Sequence, residues 1–112
     1  MNWISIEYSN QLEDLKKKSF SRLQLIFKHS TRCSISSMAK SRIERANAPE
    51  NIDYYFIDLI KFRELSNKIA NEFHINHESP QVLLIKNGEC IYNESHNGIS
   101  MEEIEIFTQQ VN

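Results

Sequence analysis

The sequence predicts an α/β fold, a central mixed sheet flanked by helices in the order β-α-β-α-β-α-β-β-α, and three observations carry that expectation. Two apolar runs of strand length, residues 22–29 and 53–57, are separated by a stretch whose apolar residues recur at helical spacing, the pattern of a βαβ crossover. Asn87-Gly88 joins two further runs, 81–86 and 89–95, and this dipeptide is a strong short-range signal of a tight hairpin. The chain has 112 residues, 40% of them hydrophobic and 10% aromatic, which is enough for one compact domain over residues 1–112 but not for two. Two glycines and two prolines leave little room for linkers, and no internal repeat is visible.

The elements follow in order. A weak strand at residues 4–6 comes first. Leu12 and Leu15 among charges make residues 10–19 a short amphipathic helix, and RLQLIFKH at residues 22–29 reads as a buried strand. After Cys33, the residues Ile35, Met38, Ala39, Ile43 and Ala46 keep helical spacing until Asn47 and Pro49 stop them. DYYFI at residues 53–57 is the next strand, and Phe62, Leu65, Ile69, Ala70 and Phe73 trace one face of a helix. Past the hairpin, Ser100-Met101-Glu102-Glu103 is a capping box that opens a last helix carrying Ile104, Phe107 and Val111. Crossovers of this kind place helices on both faces of a sheet whose first half is parallel and whose last pair is antiparallel.

Charge narrows the function classes. Thirteen basic and fifteen acidic residues are interleaved to a net −2, so no face forms a footprint for nucleic acid or for an anionic membrane. The N-terminus is broken by Glu7, Glu13 and Asp14 and lacks the apolar centre of a secretory signal, and no stretch has the length of a membrane span. A cytoplasmic location is the expectation. In a reducing compartment the two cysteines are not expected to form a structural disulfide, and they are too few, without suitably spaced histidines, for a zinc site.

Cys33 lies in KHSTRCS, the loop between the central strand and its helix, so it stands at or just before a helix N-terminus. Unpaired backbone N–H groups, the positive end of the helix dipole and the neighbouring Arg32 cation all favour thiolate over thiol, and thiolate is the species that attacks disulfides. The competing account is an inert small hydrophobe. Cys90, in Glu89-Cys90-Ile91-Tyr92, reads as packing, because the turn end of the hairpin should lie far from the Cys33 loop and beyond disulfide reach.

The element order, Cys33-Ser34-Ile35-Ser36 on a strand-to-helix turn, and Ser79-Pro80-Gln81-Val82-Leu83-Leu84-Ile85-Lys86-Asn87-Gly88-Glu89 resemble the thioredoxin superfamily. More narrowly, HSTRCSISSMA together with HESPQVLLIKNGE is similar to the YtxJ-like monothiol bacilliredoxins of the bacillithiol system, over nearly the whole chain. The resemblance implies a thioredoxin-like fold, Cys33 as nucleophile, and Pro80 following a cis peptide bond, although cis frequencies alone favour trans. The backbone of Ser79 would then lie beside the thiolate, able to pair with an extended substrate segment. Ser36 stands where dithiol relatives carry a resolving cysteine, so its hydroxyl can donate to the thiolate but no internal disulfide can form. The buried carboxylate that thioredoxins place six residues before the first cysteine is replaced by Phe27, and the proline that often follows the cysteine is replaced by Ser34.

Around the site, Thr31 and Ser30 offer hydroxyls, and Arg32 is the best contact for the carboxylates of an anionic small thiol, ahead of Lys40, Arg42 and Arg45 on the helix. Of the histidines, His96 in Ser95-His96-Asn97 ranks above His29 as a substrate contact. The expected activity is removal of bacillithiol from protein mixed disulfides by a monothiol oxidoreductase. It needs no metal or nucleotide cofactor; bacillithiol is a co-substrate, and bacillithiolated client proteins are the partners. The alternative is a redox-inactive interaction or chaperone module binding extended segments near Pro80. Cluster binding of the monothiol glutaredoxin kind is disfavoured, because the Cys33 segment lacks the glycine and phenylalanine of those motifs.

Overall fold

The computed structural model describes residues 2–45 and 49–111. The expected order of elements is present: β1 (Ile4–Ser5), α1 (Ser9–Lys18), β2 (Leu23–His29), α2 (Ser34–Arg45), β3 (Ile52–Asp58), α3 (Arg63–Glu72), β4 (Gln81–Lys86), β5 (Glu89–Ser95) and α4 (Met101–Val111). A 3-10 turn at His96–Gly98 links β5 to α4, in a stretch where the sequence predicts only loop. Ala46 and Asn47, expected to extend and to end α2, lie outside the described residues.

The differences in boundary have local causes. β1 is shorter than residues 4–6, although the Ile6 N–H still donates to the Phe56 carbonyl at 2.8 Å. α1 starts one residue early because Gln11 reaches back over its first turn. The Gln11 Oε1 accepts the N–H groups of Glu7 and Tyr8 at 2.7 and 2.9 Å, while its amide nitrogen donates to the Ser5 carbonyl at 3.0 Å. Donors that a helix start leaves open are satisfied in this way. At α4 one bond of the expected capping box is seen, from the Glu103 N–H to the Ser100 Oγ at 3.4 Å.

The strands form one sheet in the order β1-β3-β2-β4-β5. β1, β3 and β2 run parallel, whereas β4 pairs antiparallel with β2 and β5 antiparallel with β4. β2 is therefore central, and all seven of its residues are buried. Its side chains alternate between two cores. Leu23, Leu25 and Phe27 pack with Ala39 and Ile43 of α2 and Met101 and Ile104 of α4, while Ile26 packs with Leu12 and Leu15 of α1 and Ile69 of α3. Burial on both faces explains why β2 and β4 read as continuous apolar runs rather than alternating ones.

Asn87 and Gly88 have φ values of 52° and 79°, so both central residues of the β4–β5 turn are left-handed, as a type I′ turn requires. The turn is fastened to the end of α1, where the Ser19 carbonyl accepts the Asn87 N–H at 3.0 Å and the Ser19 Oγ accepts the Gly88 N–H at 2.8 Å.

Candidate thiol site

β2 ends at His29 and α2 begins at Ser34, which leaves Cys33 in the position immediately before the helix. The Cys33 N–H donates to the Ser30 carbonyl at 3.1 Å and its own carbonyl accepts the Ser37 N–H at 3.1 Å, so a tight turn delivers the chain into α2. The thiol is free and partly exposed, between exposed Thr31 and Arg32 on one side and exposed Ser34 and Ile35 on the other. It stands at the positive end of the α2 dipole.

Strand register assembles the rest. Lys28 pairs with Gln81, so Pro80, one residue before β4, comes level with the end of β2 and borders the 30–33 loop. The Ser79-Pro80 peptide bond is cis, and Pro80 is buried. The Pro80 carbonyl accepts the His96 N–H at 3.0 Å, which adds the 3-10 turn as a third wall. Segments 30–33, 79–80 and 96–98 are therefore gathered at one end of the sheet. Ser79 is half-buried, and its Oγ is enclosed without a hydrogen-bond partner among the described residues. His96 takes part through its backbone while its side chain is exposed.

Ser36 departs from the expectation. It is fully buried, and its Oγ lies 2.7 Å from the His29 Nδ1 and accepts the Ser30 N–H at 3.0 Å. The hydroxyl expected to serve the thiolate is instead engaged by the end of β2. His29, ranked below His96 on sequence, is the histidine built into the frame of the site: 8% exposed and stacked on Phe27 with ring centroids 5.7 Å apart. Burial lowers its pKa, with the Lys40 charge adding to the effect and Asp58 and Glu44 opposing it. Lys40 is not a free cation for a ligand, because its Nζ lies 2.9 Å from the Glu44 carboxylate and 5.7 Å from the Trp3 ring centre.

Sequence reasoning missed a second buried network. Lys28, fully buried on the opposite face of β2, donates from Nζ to the Ser66 carbonyl and to the His77 Nδ1, each at 3.1 Å. Desolvation lowers the Lys28 pKa to about 8. Burial, followed by the Lys28 charge, lowers that of His77. The segment before Pro80 is further held by Gln81, whose amide donates to the Asn76 carbonyl at 3.0 Å. The signal was available: Lys28 shares a strand face with Ile26 in a run otherwise committed to the core.

Cys90 lies elsewhere. It pairs with Ile85, which pairs with Gln24 near the start of β2, at the opposite end of the sheet from Cys33. The Cys90 Sγ is 3.3 Å from the Tyr92 carbonyl, and burial raises its pKa.

The sequence profile of the family described as Monothiol bacilliredoxin BrxC matches residues 4–104. Among solved structures, a protein described as having a thioredoxin fold is 27% identical with a TM-score of 0.82, over 93% of this chain and 91% of that one. Thioredoxin from Malassezia sympodialis is 18% identical with a TM-score of 0.71, over 98% and 90% of the two chains. A mutant thioredoxin from Halobacterium salinarum is 13% identical with a TM-score of 0.72, over 97% and 89%. The latter two likenesses establish the fold alone. With a thioredoxin fold and a profile match spanning nearly all its elements, the chain belongs to the monothiol bacilliredoxin BrxC family.

Proposed function

We propose that the protein is a monothiol thiol-disulfide oxidoreductase, of the YtxJ-like kind, that removes bacillithiol from protein mixed disulfides through Cys33. The family supports a thiol redox role. The observation that carries the finer reading is the placement of one partly exposed thiol before α2, with a serine, Ser36, one turn later and the other cysteine at the far end of the sheet.

The Cys33 thiolate attacks the bacillithiol sulfur of a client mixed disulfide. The client–bacillithiol S–S bond breaks, the client leaves as thiolate and takes up a proton, and bacillithiol remains joined to Cys33 by a new disulfide. A second thiol, deprotonated, attacks that disulfide and restores the Cys33 thiolate. Because no second cysteine is in reach, the discharging thiol comes from outside the chain. Thr31, Arg32, Ser79, Pro80 and His96, on the segments that come to the same end of the sheet as Cys33, are the proposed substrate contacts, Arg32 for carboxylates and Ser79 for extended client backbone. Ser36 contributes through the frame of the site. Bacillithiol and bacillithiolated cytoplasmic proteins are the proposed partners, and the chemistry calls for no metal or nucleotide.

The test is release of bacillithiol from a purified bacillithiolated protein in the presence of free bacillithiol. Wild type and Cys90→Ser should turn over comparably, and Cys33→Ser should reduce release to the uncatalysed rate. Release that persists in Cys33→Ser contradicts the proposal, as does binding of the client by wild type without any release.

A further inference from the structure

Ser36 and His29 join the two elements that meet at the thiol. Ser36 occupies the first turn of α2, three residues after Cys33, and His29 is the last residue of β2. Their 2.7 Å contact is buried, and the Ser30 N–H uses one lone pair of the same oxygen. A hydroxyl has one proton and two acceptor lone pairs. Among the described residues the acceptor within reach of the Ser36 proton is the His29 Nδ1, so a neutral His29 carries its own proton on Nε2 and accepts from Ser36. The ring is buried and stacked on Phe27.

A proton added to His29 reverses the bond. Nδ1–H then donates to the Ser36 Oγ, both lone pairs of that oxygen are occupied, and the Ser36 proton must turn to another acceptor. Cys33 is the ionisable group at the position immediately before α2, three residues back, and the side chain of a helix's third residue can reach back to that position. The charges that bias this proton come from Lys40 and Glu44 of α2 and from Asp58 of β3, Lys40 opposing it and the two carboxylates favouring it.

We infer that His29 is a positioning residue for the Cys33 thiolate, acting through Ser36: neutral His29 holds the Ser36 proton away from the sulfur, and protonated His29 releases it toward the sulfur. This rests on the proposed function for the role of Cys33. Acceptance of a hydrogen bond makes a thiolate more stable but a poorer nucleophile. The thiolate is therefore most reactive, molecule for molecule, when His29 is neutral.

The test follows iodoacetamide alkylation of Cys33 in the full chain from about pH 4 to 8, a window extended downward because burial lowers the His29 pKa. The rate is read on the Cys33 peptide and divided by the thiolate fraction from ultraviolet absorbance. Histidine 15N spectra report the His29 proton in parallel. In wild type the rate per thiolate should fall about three- to tenfold as His29 protonates. In Ser36→Ala it should stay flat while His29 still titrates, and in His29→Gln it should stay flat as well. An inflection that survives in Ser36→Ala, or a flat wild-type profile across an observed His29 titration, overturns the inference. The two proposals fail separately. A chain with the inflection but no bacillithiol exchange loses the proposed function, and one that exchanges bacillithiol with a profile unchanged by Ser36→Ala loses this role for His29.

Discussion

Lys28 is a buried ammonium held by a carbonyl and a neutral imidazole, with no carboxylate among its hydrogen-bond partners in the described residues. Its pKa falls from 10.5 to about 8 on folding, so between those values the unfolded chain holds a proton that the folded chain has lost. By linkage, this group makes stability rise with pH through that window, and burying the charge at neutral pH costs on the order of 3 kcal/mol. Tyr54 and Tyr92, raised to about 12 by burial, act in the opposite sense above pH 10, and Cys90 opposes near its own range. The comparison is therefore with Lys28→Met. Denaturant unfolding of the two proteins from about pH 8 to 10 should show wild type gaining stability relative to the variant by roughly 1–2 kcal/mol. A constant difference would mean that Lys28 is not desolvated as its contacts indicate. At this scale the sequence was only partly legible. Cys33 is marked by its place after an apolar strand, but the hydroxyl of Ser36 is claimed by His29, and only packing decides between such partners.

Elements were more legible than side chains, because period and turn chemistry are local. The β4 and β5 runs at 81–86 and 89–95 match the strands observed, and Asn87-Gly88 adopts the left-handed pair its composition demands. The start of α1 was less legible, since Gln11 makes the reach-back bond of a capping box to the Tyr8 N–H, but from a tyrosine cap rather than the usual Ser or Thr, and adds bonds to Ser5 and Glu7. The hairpin gives a prediction of its own. At φ +79°, Gly88→Ala places a Cβ in the left-handed region, 3.4 Å from the Phe20 ring. The variant should lose about 1 kcal/mol of stability in thermal or denaturant unfolding. Its bacillithiol release should match wild type, because the turn lies at the other end of the sheet from Cys33. A loss of activity without a loss of stability would place the hairpin nearer the chemistry than the register does.

For the whole molecule, β2 is the organising strand. One face of it ends in His29, tied to α2 and its thiol, and the other in Lys28, tied to α3 and to the segment before Pro80. The architecture was readable because the alternation of apolar runs with helical-period segments admits few arrangements. The two buried polar ties were not, since each joins residues brought together only by strand register and helix packing. Both ties lie at the end of β2 next to the loop that carries the partly exposed Cys33 thiol. The central claim is that Cys33 alone accepts and returns bacillithiol. Intact mass spectrometry after exposure to bacillithiol disulfide tests it most directly. The account predicts one added bacillithiol in wild type and in Cys90→Ser, none in Cys33→Ser, and reversal by free bacillithiol. An unmodified Cys33 under excess bacillithiol disulfide, or an adduct that free bacillithiol does not reverse, would contradict it.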